Sequence, residues 1–332
     1  MEKNGIGATM DIRYAILHFT IEFDSFASLP RYKGSTIRGG MGEMLFTEYC
    51  VQEHLRQEDK CEECGFRKEC VPQRIMYAPM DLPVKSMNTG SSEGYVVECE
   101  DVREQINAGD QMEFRILLIG KVAGYLSPIL SAIYRLGMAG IGKDHAGFQV
   151  VSVKNGRGED ILDGRDIYKQ NHRIETLDKH LERRMRRLSE QEGDVLEIHF
   201  LTPVAIKKDQ KILESPTMDD LLFAAERRVH ILRGFEGIPS EFPKAIPEYT
   251  EGLEVLETNF RPTAIPRYSF RKETKSNMRG SYGSLRISLT DCRDEDRIRI
   301  LRTLLAGELF HIGSSTSFGF GRYTLKLCNK NI

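Results

Sequence analysis

The chain has 332 residues, long enough for two domains of ordinary size, each with its own core. Forty per cent of the residues are apolar and 29% charged, the composition of a soluble globular protein. A net charge of −2 excludes a surface that is cationic overall, so a site for nucleic acid has to be a local patch.

The start, MEKNGIGATMDIRYAIL, lacks the charged-then-apolar order of a signal peptide. The most apolar stretch, Val122 to Tyr134, is flanked by Lys121 and Arg135 and is too short to span a bilayer. A cytoplasmic location without membrane contact is expected. From Ile12, IRYAILHFTIEFD puts Ala15, Leu17, Phe19, Ile21 and Phe23 on one face of a strand. YKGSTIRGGMGEMLFTEYCVQEHL follows as a glycine-rich entry into a helix. GYVVECED and MEFRILLIG read as strands. YLSPILSAIYRL reads as a helix capped by Ser127, with Pro128 at its first position and Leu126, Ile129, Leu130, Ile133 and Leu136 inward. A short glycine loop, IGKDHAGF, leads to a last strand, FQVVSV.

The second half repeats this order. VLEIHFLTPVAI is a strand with Leu196, Ile198 and Phe200 on one face. Thr217 to Asp220 is a capping-box variant opening a helix that buries Leu221, Leu222, Ala225, Val229 and Leu232 and ends at Gly234. TAIPRYSFRKE and SLRISLTD read as a strand pair. EDRIRILRTLLAGELFHIG is a helix with Ile298, Leu301, Leu304, Leu305 and Leu309 inward. The longer loop HIGSSTSFGFGRY then leads into RYTLKL. Strand–helix–strand–strand–helix–strand, twice, predicts an α+β protein of two tandem ferredoxin-like (RRM-like, βαββαβ) domains. The expected boundaries are 1–155 for the first domain, with a Cys-rich insertion, 156–194 for a charged connector, and 195–332 for the second domain.

Three features carry chemistry. The long loop has glycines that permit left-handed backbone and close approach, so its amides are candidates for cradling phosphate; a helix C-cap with a tight turn is the plainer reading. It is neither a Walker loop nor a dinucleotide fingerprint. Between Arg261 and Arg286 lie seven basic residues and one acidic residue, Glu273, interleaved with Tyr268 and Phe270. That mixture suits phosphate contact and base stacking, or else protects a solvated edge strand. Four of the seven cysteines cluster as Cys50-x10-Cys61-x2-Cys64-x5-Cys70, enough for one tetrahedral structural zinc, with an iron–sulfur centre or free thiols as alternatives. The histidines are ambiguous. His18 and His199 sit on equivalent first strands opposite the apolar face, and His311 ends a helix whose dipole favours a cation there.

RYSFRKETKSNMRGSYGSLRI followed by LLAGELFHIGSSTSFGFGRYTL resembles the C-terminal region of the CRISPR precursor-RNA processing endoribonucleases, the sixth Cas family within the RAMP superfamily. YKGSTIRGGMGE and the cysteine cluster resemble an N-terminal pattern of one branch of it. The resemblance implies cleavage of CRISPR repeat RNA with no catalytic metal, through attack of the ribose 2′-hydroxyl, leaving 2′,3′-cyclic phosphate and 5′-hydroxyl ends. It implies RNA contact by Gly313, Gly319, Gly321, Arg322 and His311, by Arg267, Arg271, Lys272 and Arg279, and by Arg38 and Lys143. The family usually places a catalytic histidine in or near the first helix; here the start of that helix has none. The expected catalytic set is therefore His54 with Tyr32 and Lys33, and any zinc is structural. The alternative is a non-catalytic guide-RNA-binding RAMP subunit of a CRISPR effector complex, so other effector subunits are expected partners beside RNA. The oligomeric state is open.

Overall fold

The computed structural model describes residues 12–77, 94–243, 248–250, 252–269 and 274–329. They fall into two compact units, 13–174 and 175–329, Ile12 counting with the second. Each is a mixed α+β structure on an antiparallel sheet.

In the first unit the order is β1 (Arg13–Phe23), α1 (Gly34–Tyr49), the short helices α2 (Glu53–Gln57) and α3 (Val71–Met76), β2 (Tyr95–Glu98), β3 (Gln111–Ile119), α4 (Leu126–Ala139) and β4 (Phe148–Asn155). β5 (Asp160–Asp163) and β6 (Asp166–Ile167) follow. The sheet runs β2-β3-β1-β4-β5-β6. Period-two alternation in β1 buries Leu17, Phe19, Ile21 and Phe23 and leaves His18 exposed. Phe19 stacks on Phe114 of β3, 4.9 Å between ring centres. Helices α1 and α4 pack together, and the inward residues read from the 3.6-residue period of α4 (Leu126, Ile129, Leu130, Ile133, Leu136) are all buried. The N-cap is Tyr125, two residues before the expected Ser127, and Pro128 is still in the first turn, where a missing N–H costs no helical bond.

In the second unit α5 (Leu177–Ser189) precedes β7 (Val195–Phe200), α6 (Met218–Phe235), β8 (Glu254–Ser269), β9 (Thr274–Ser288), α7 (Asp294–Phe310) and β10 (Tyr323–Cys328). The sheet order is β8-β9-β7-β10. Both bonds of the Thr217–Asp220 capping box are made, and α6 runs one residue past Gly234. In α7 the expected inward Ile298 is half exposed; Ile300, Leu301, Leu304, Leu305 and Leu309 face the core instead.

Residues 156–194 are not a separate connector. β5 and β6 extend the first sheet, and α5 packs on α7. Arg184 of α5 grips Glu308 of α7 with two bonds of 2.8 and 3.0 Å, and Glu308 also accepts the Leu325 amide of β10. The charge that suggested a solvated linker is largely the outer face of an amphipathic helix whose Leu177, Leu181 and Leu188 are buried.

Candidate functional site

The strand pair β8/β9 is much longer than the sheet it belongs to. β7 pairs with β9 only from Ser284 to Ser288, whereas β8 follows β9 from Glu254↔Ser288 to Ser269↔Thr274. Past the Val204↔Ser281 bridge, the described residues form a two-stranded ribbon about 20 Å long at ~3.4 Å per residue. Pro262 and Pro266 lie within β8, which is tolerable because β8 is the sheet edge and its outward amides need no partner. Arg261 and Arg279 are exposed on this ribbon. Arg267 lies over the Phe318 ring, 4.5 Å from its centre, which ties the ribbon to the glycine loop. Arg271 and Lys272 lie outside the described residues.

The glycine loop is built differently from a phosphate cradle. Gly319 and Gly321 both have left-handed backbone, with φ of 88° and 73°. Their amides are already used: Gly319 donates to Thr316 O at 2.7 Å and Gly321 to Pro203 O at 2.8 Å. The amides of Ser314, Phe318 and Arg322 likewise bond to Ala205 O, Ser315 O and Thr202 Oγ1. A Cβ on Gly321 would stand 1.9 Å from the Ile312 carbonyl, and one on Gly313 (φ 86°) 2.7 Å from that of Ala205. The glycines let the loop close on itself and on the 201–206 segment. His311 is completely buried, and its Nδ1 donates to Phe320 O at 2.9 Å. It braces the loop from inside and, contrary to expectation, offers nothing to a strand bound outside. Arg322 is half-buried at the loop exit.

The first unit redistributes the expected catalytic set. Lys33, the N-cap of α1, is 1% exposed. Its ammonium donates to Asp101 O at 2.8 Å and Arg103 O at 2.6 Å and lies 3.5 Å from the Asp101 carboxylate. Burial lowers the Lys33 pKa, Asp101 partly opposing it. Burial pushes the Asp101 carboxyl up, but hydrogen bonds from Arg103 and the Lys33 charge outweigh it and hold it below the usual range. Lys33 is thus a clasp between α1 and the 101–103 turn, not a cation presented to a ligand. Tyr32 beside it is half-buried. Arg38 is half-buried too, its guanidinium 6.0 Å from the centre of the Tyr95 ring. His54 is exposed on α2, and Lys143 is exposed in the short loop, which the Ile141↔Ala146 bridge closes as a tight turn.

Two residues outside the expected catalytic set stand out. His18 is exposed on β1, and its register neighbours on the flanking strands are Arg115 and Lys154. Directly opposed residues stand about 5 Å apart at Cβ, so a histidine sits between two cations. Arg115 is held by two bonds to the buried Glu98. The period-two pattern exposed His18; only strand order could supply its neighbours. His199 is exposed at the equivalent place on β7, beside Ser284 and Thr324.

The four clustered cysteines are free thiols, each half-buried. All four line one small cavity with Phe46, Leu55 and Arg67. Crowding is visible at Cys70, whose pKa burial raises first and the neighbouring Cys50, Cys64 and Cys61 raise further.

A ribbon with exposed arginines, braced on a glycine loop, has the shape and charge that suit contact with an RNA backbone. Residues 198–323 match the family model of the CRISPR-associated endoribonuclease Cas6, and residues 12–180 match the one described as AF_1859_N, N-terminal domain. Residues 198–323 therefore form a domain of the Cas6 type. Among solved structures the chain is similar to a partial Cas6-RT-Cas1–Cas2 complex (TM-score 0.54, 12% identity, 97% of this chain and 47% of that one). It is also similar to a Cas6 product complex (TM-score 0.52, 14% identity, 94% and 99%). Thermus thermophilus Cas6 matches with a TM-score of 0.50 and 14% identity over 95% of this chain and 98% of that one. The chain spans 47% and 30% of the first two structures that it matches, both Cas6-RT-Cas1–Cas2 complexes. No curated protein matches it in sequence. No helix among the described residues is long and apolar enough to cross a membrane.

Proposed function

We propose that the chain is an endoribonuclease of two tandem ferredoxin-like domains that cuts CRISPR repeat RNA into guide RNAs. The observation that carries this reading is that the Cas6 endoribonuclease match, residues 198–323, coincides with the unit that builds the cationic ribbon and its glycine loop. The strand orders β2-β3-β1-β4 and β8-β9-β7-β10 support the tandem reading, each being the 2-3-1-4 order of a βαββαβ sheet.

On this reading the ribbon residues Arg267 and Arg279 grip the repeat, with Arg322 at the loop exit. The glycines act by shaping the loop. In the reaction the ribose 2′-oxygen loses its proton and attacks the adjacent phosphorus. The P–O5′ bond breaks, and the departing 5′-oxygen takes up a proton. The products are a 2′,3′-cyclic phosphate and a 5′-hydroxyl. Histidine can carry both protons, and a nearby cation can stabilise the charge of the pentacoordinate phosphorus. His54, or in its place His18, is the proposed proton carrier, Tyr32 supports, and Lys33 is a positioning residue. Every proton is accounted for by protein groups, so a metal held by the cysteines would be structural.

Single-turnover cleavage of a repeat RNA by His54→Ala and His18→Ala, with binding measured alongside, tests the assignment. One of them should lose about 10²–10⁴-fold in rate while affinity stays within a few-fold. If both cut at the native rate, neither histidine is catalytic. If the native chain binds repeat RNA tightly and cuts nothing, it is instead a guide-RNA-binding RAMP subunit.

A further inference from the structure

Between α1 and α3, residues 50–70 order themselves without an apolar core, none of them being buried. Helix α2 and the turn Cys61–Glu63 bury none of their residues, and Val51 and Phe66 are 68% and 56% exposed. What converges there is sulfur. Cys50 caps the C-terminus of α1, Cys61 and Cys64 bracket one turn, and Cys70 precedes α3. Elements that far apart in sequence meet at one cavity. A stretch of this size with too little core needs a cross-link, and free thiols in this number supply one when they share a metal.

We propose that Cys50, Cys61, Cys64 and Cys70 bind one Zn²⁺ that fastens the 50–70 segment between the end of α1 and the start of α3. Four thiolates complete a tetrahedral shell and leave no open position, so the ion is structural. Their charge exceeds that of the ion by two. Arg67 lines the same cavity, and Arg56 stacks on its Phe46 wall at 4.5 Å, so cations lie close to that excess. Among the described residues no three His, Cys, Asp or Glu side chains already form a metal-holding group. Binding therefore draws the thiols inward from the cavity wall and releases their protons. The segment carries His54, so the metal also holds in place a proposed proton carrier. The zinc itself is argued from the thiols and the missing core, independently of any cleavage.

The test is elemental analysis of the full chain purified without added metal. The expected content is about one zinc per chain. Cys64→Ser should lose it and expose the 50–70 segment to protease, and Cys292→Ser should keep it. Should Cys64→Ser not fold, cobalt exchanged into the native chain should show the intense visible bands of tetrahedral thiolate coordination. Iron with sulfide, no stoichiometric metal, octahedral cobalt, or zinc retained by a folded Cys64→Ser would each overturn the proposal.

Discussion

At the residue scale, Lys33 shows how a position changes meaning once its neighbours are known. A lysine at the mouth of a glycine-rich helix reads as a cation awaiting phosphate. Its partners, the carbonyls of Asp101 and Arg103, lie 68 and 70 residues away, and no local pattern announces them. Lys33→Met strands those carbonyls and the Asp101 carboxylate, so urea unfolding should show a loss of about 2–4 kcal/mol. A variant of native stability that no longer cleaves would instead restore Lys33 to the chemistry. The Asp101 carboxyl titrates below its unfolded value of about 3.9, so its contribution is complete above that pH and lost as pH falls through the lower folded value. Asp101→Asn should therefore flatten the acid limb of the stability profile, read as urea midpoint against pH. His311 gives the same lesson: a helix-terminal histidine suggests a surface cation, but the chain turns at φ 61° and seals it inside.

At the element scale, the apolar stripes of α4 and α6 and the capping box at Thr217 were legible because each is a local periodic signal. The ribbon was legible only in part. Prolines 262 and 266 interrupt the β pattern, and nothing local says that β8 lies at the edge, where they are harmless. Salt is the natural probe of this element. Arg279→Ala should weaken repeat-RNA binding and lower the slope of log affinity against log salt by about one, as expected for a lost phosphate contact. An unchanged slope would remove Arg279 from the interface. The glycine loop was found by composition, but its purpose was not, because the carbonyls that fill its amides come from residues 203 and 205. Gly321→Ala should lower stability by roughly 2 kcal/mol or more, since both φ and the Ile312 carbonyl oppose a Cβ. The φ penalty alone should cost Gly319→Ala about 1 kcal/mol. Native stability in Gly321→Ala with reduced RNA affinity would revive the cradle.

At the scale of the whole molecule, the periodicity of both halves predicted an α+β protein, and both units are α+β structures on antiparallel sheets. The division between the units was hidden, because α5 looks like a charged linker until Leu177, Leu181 and Leu188 are seen against α7. Each sheet carries an exposed histidine, His18 and His199, in unlike settings: cations flank the first, hydroxyls the second. The central claim is that protein side chains alone carry the proton transfers of repeat-RNA cleavage. Incubating the full chain with repeat RNA in excess EDTA, and analysing the ends, tests it most directly. One cut per repeat, with a 2′,3′-cyclic phosphate and a 5′-hydroxyl at an undiminished rate, is the result expected. Cleavage abolished by EDTA and restored by magnesium, or ends bearing 3′-hydroxyl and 5′-phosphate, would contradict it.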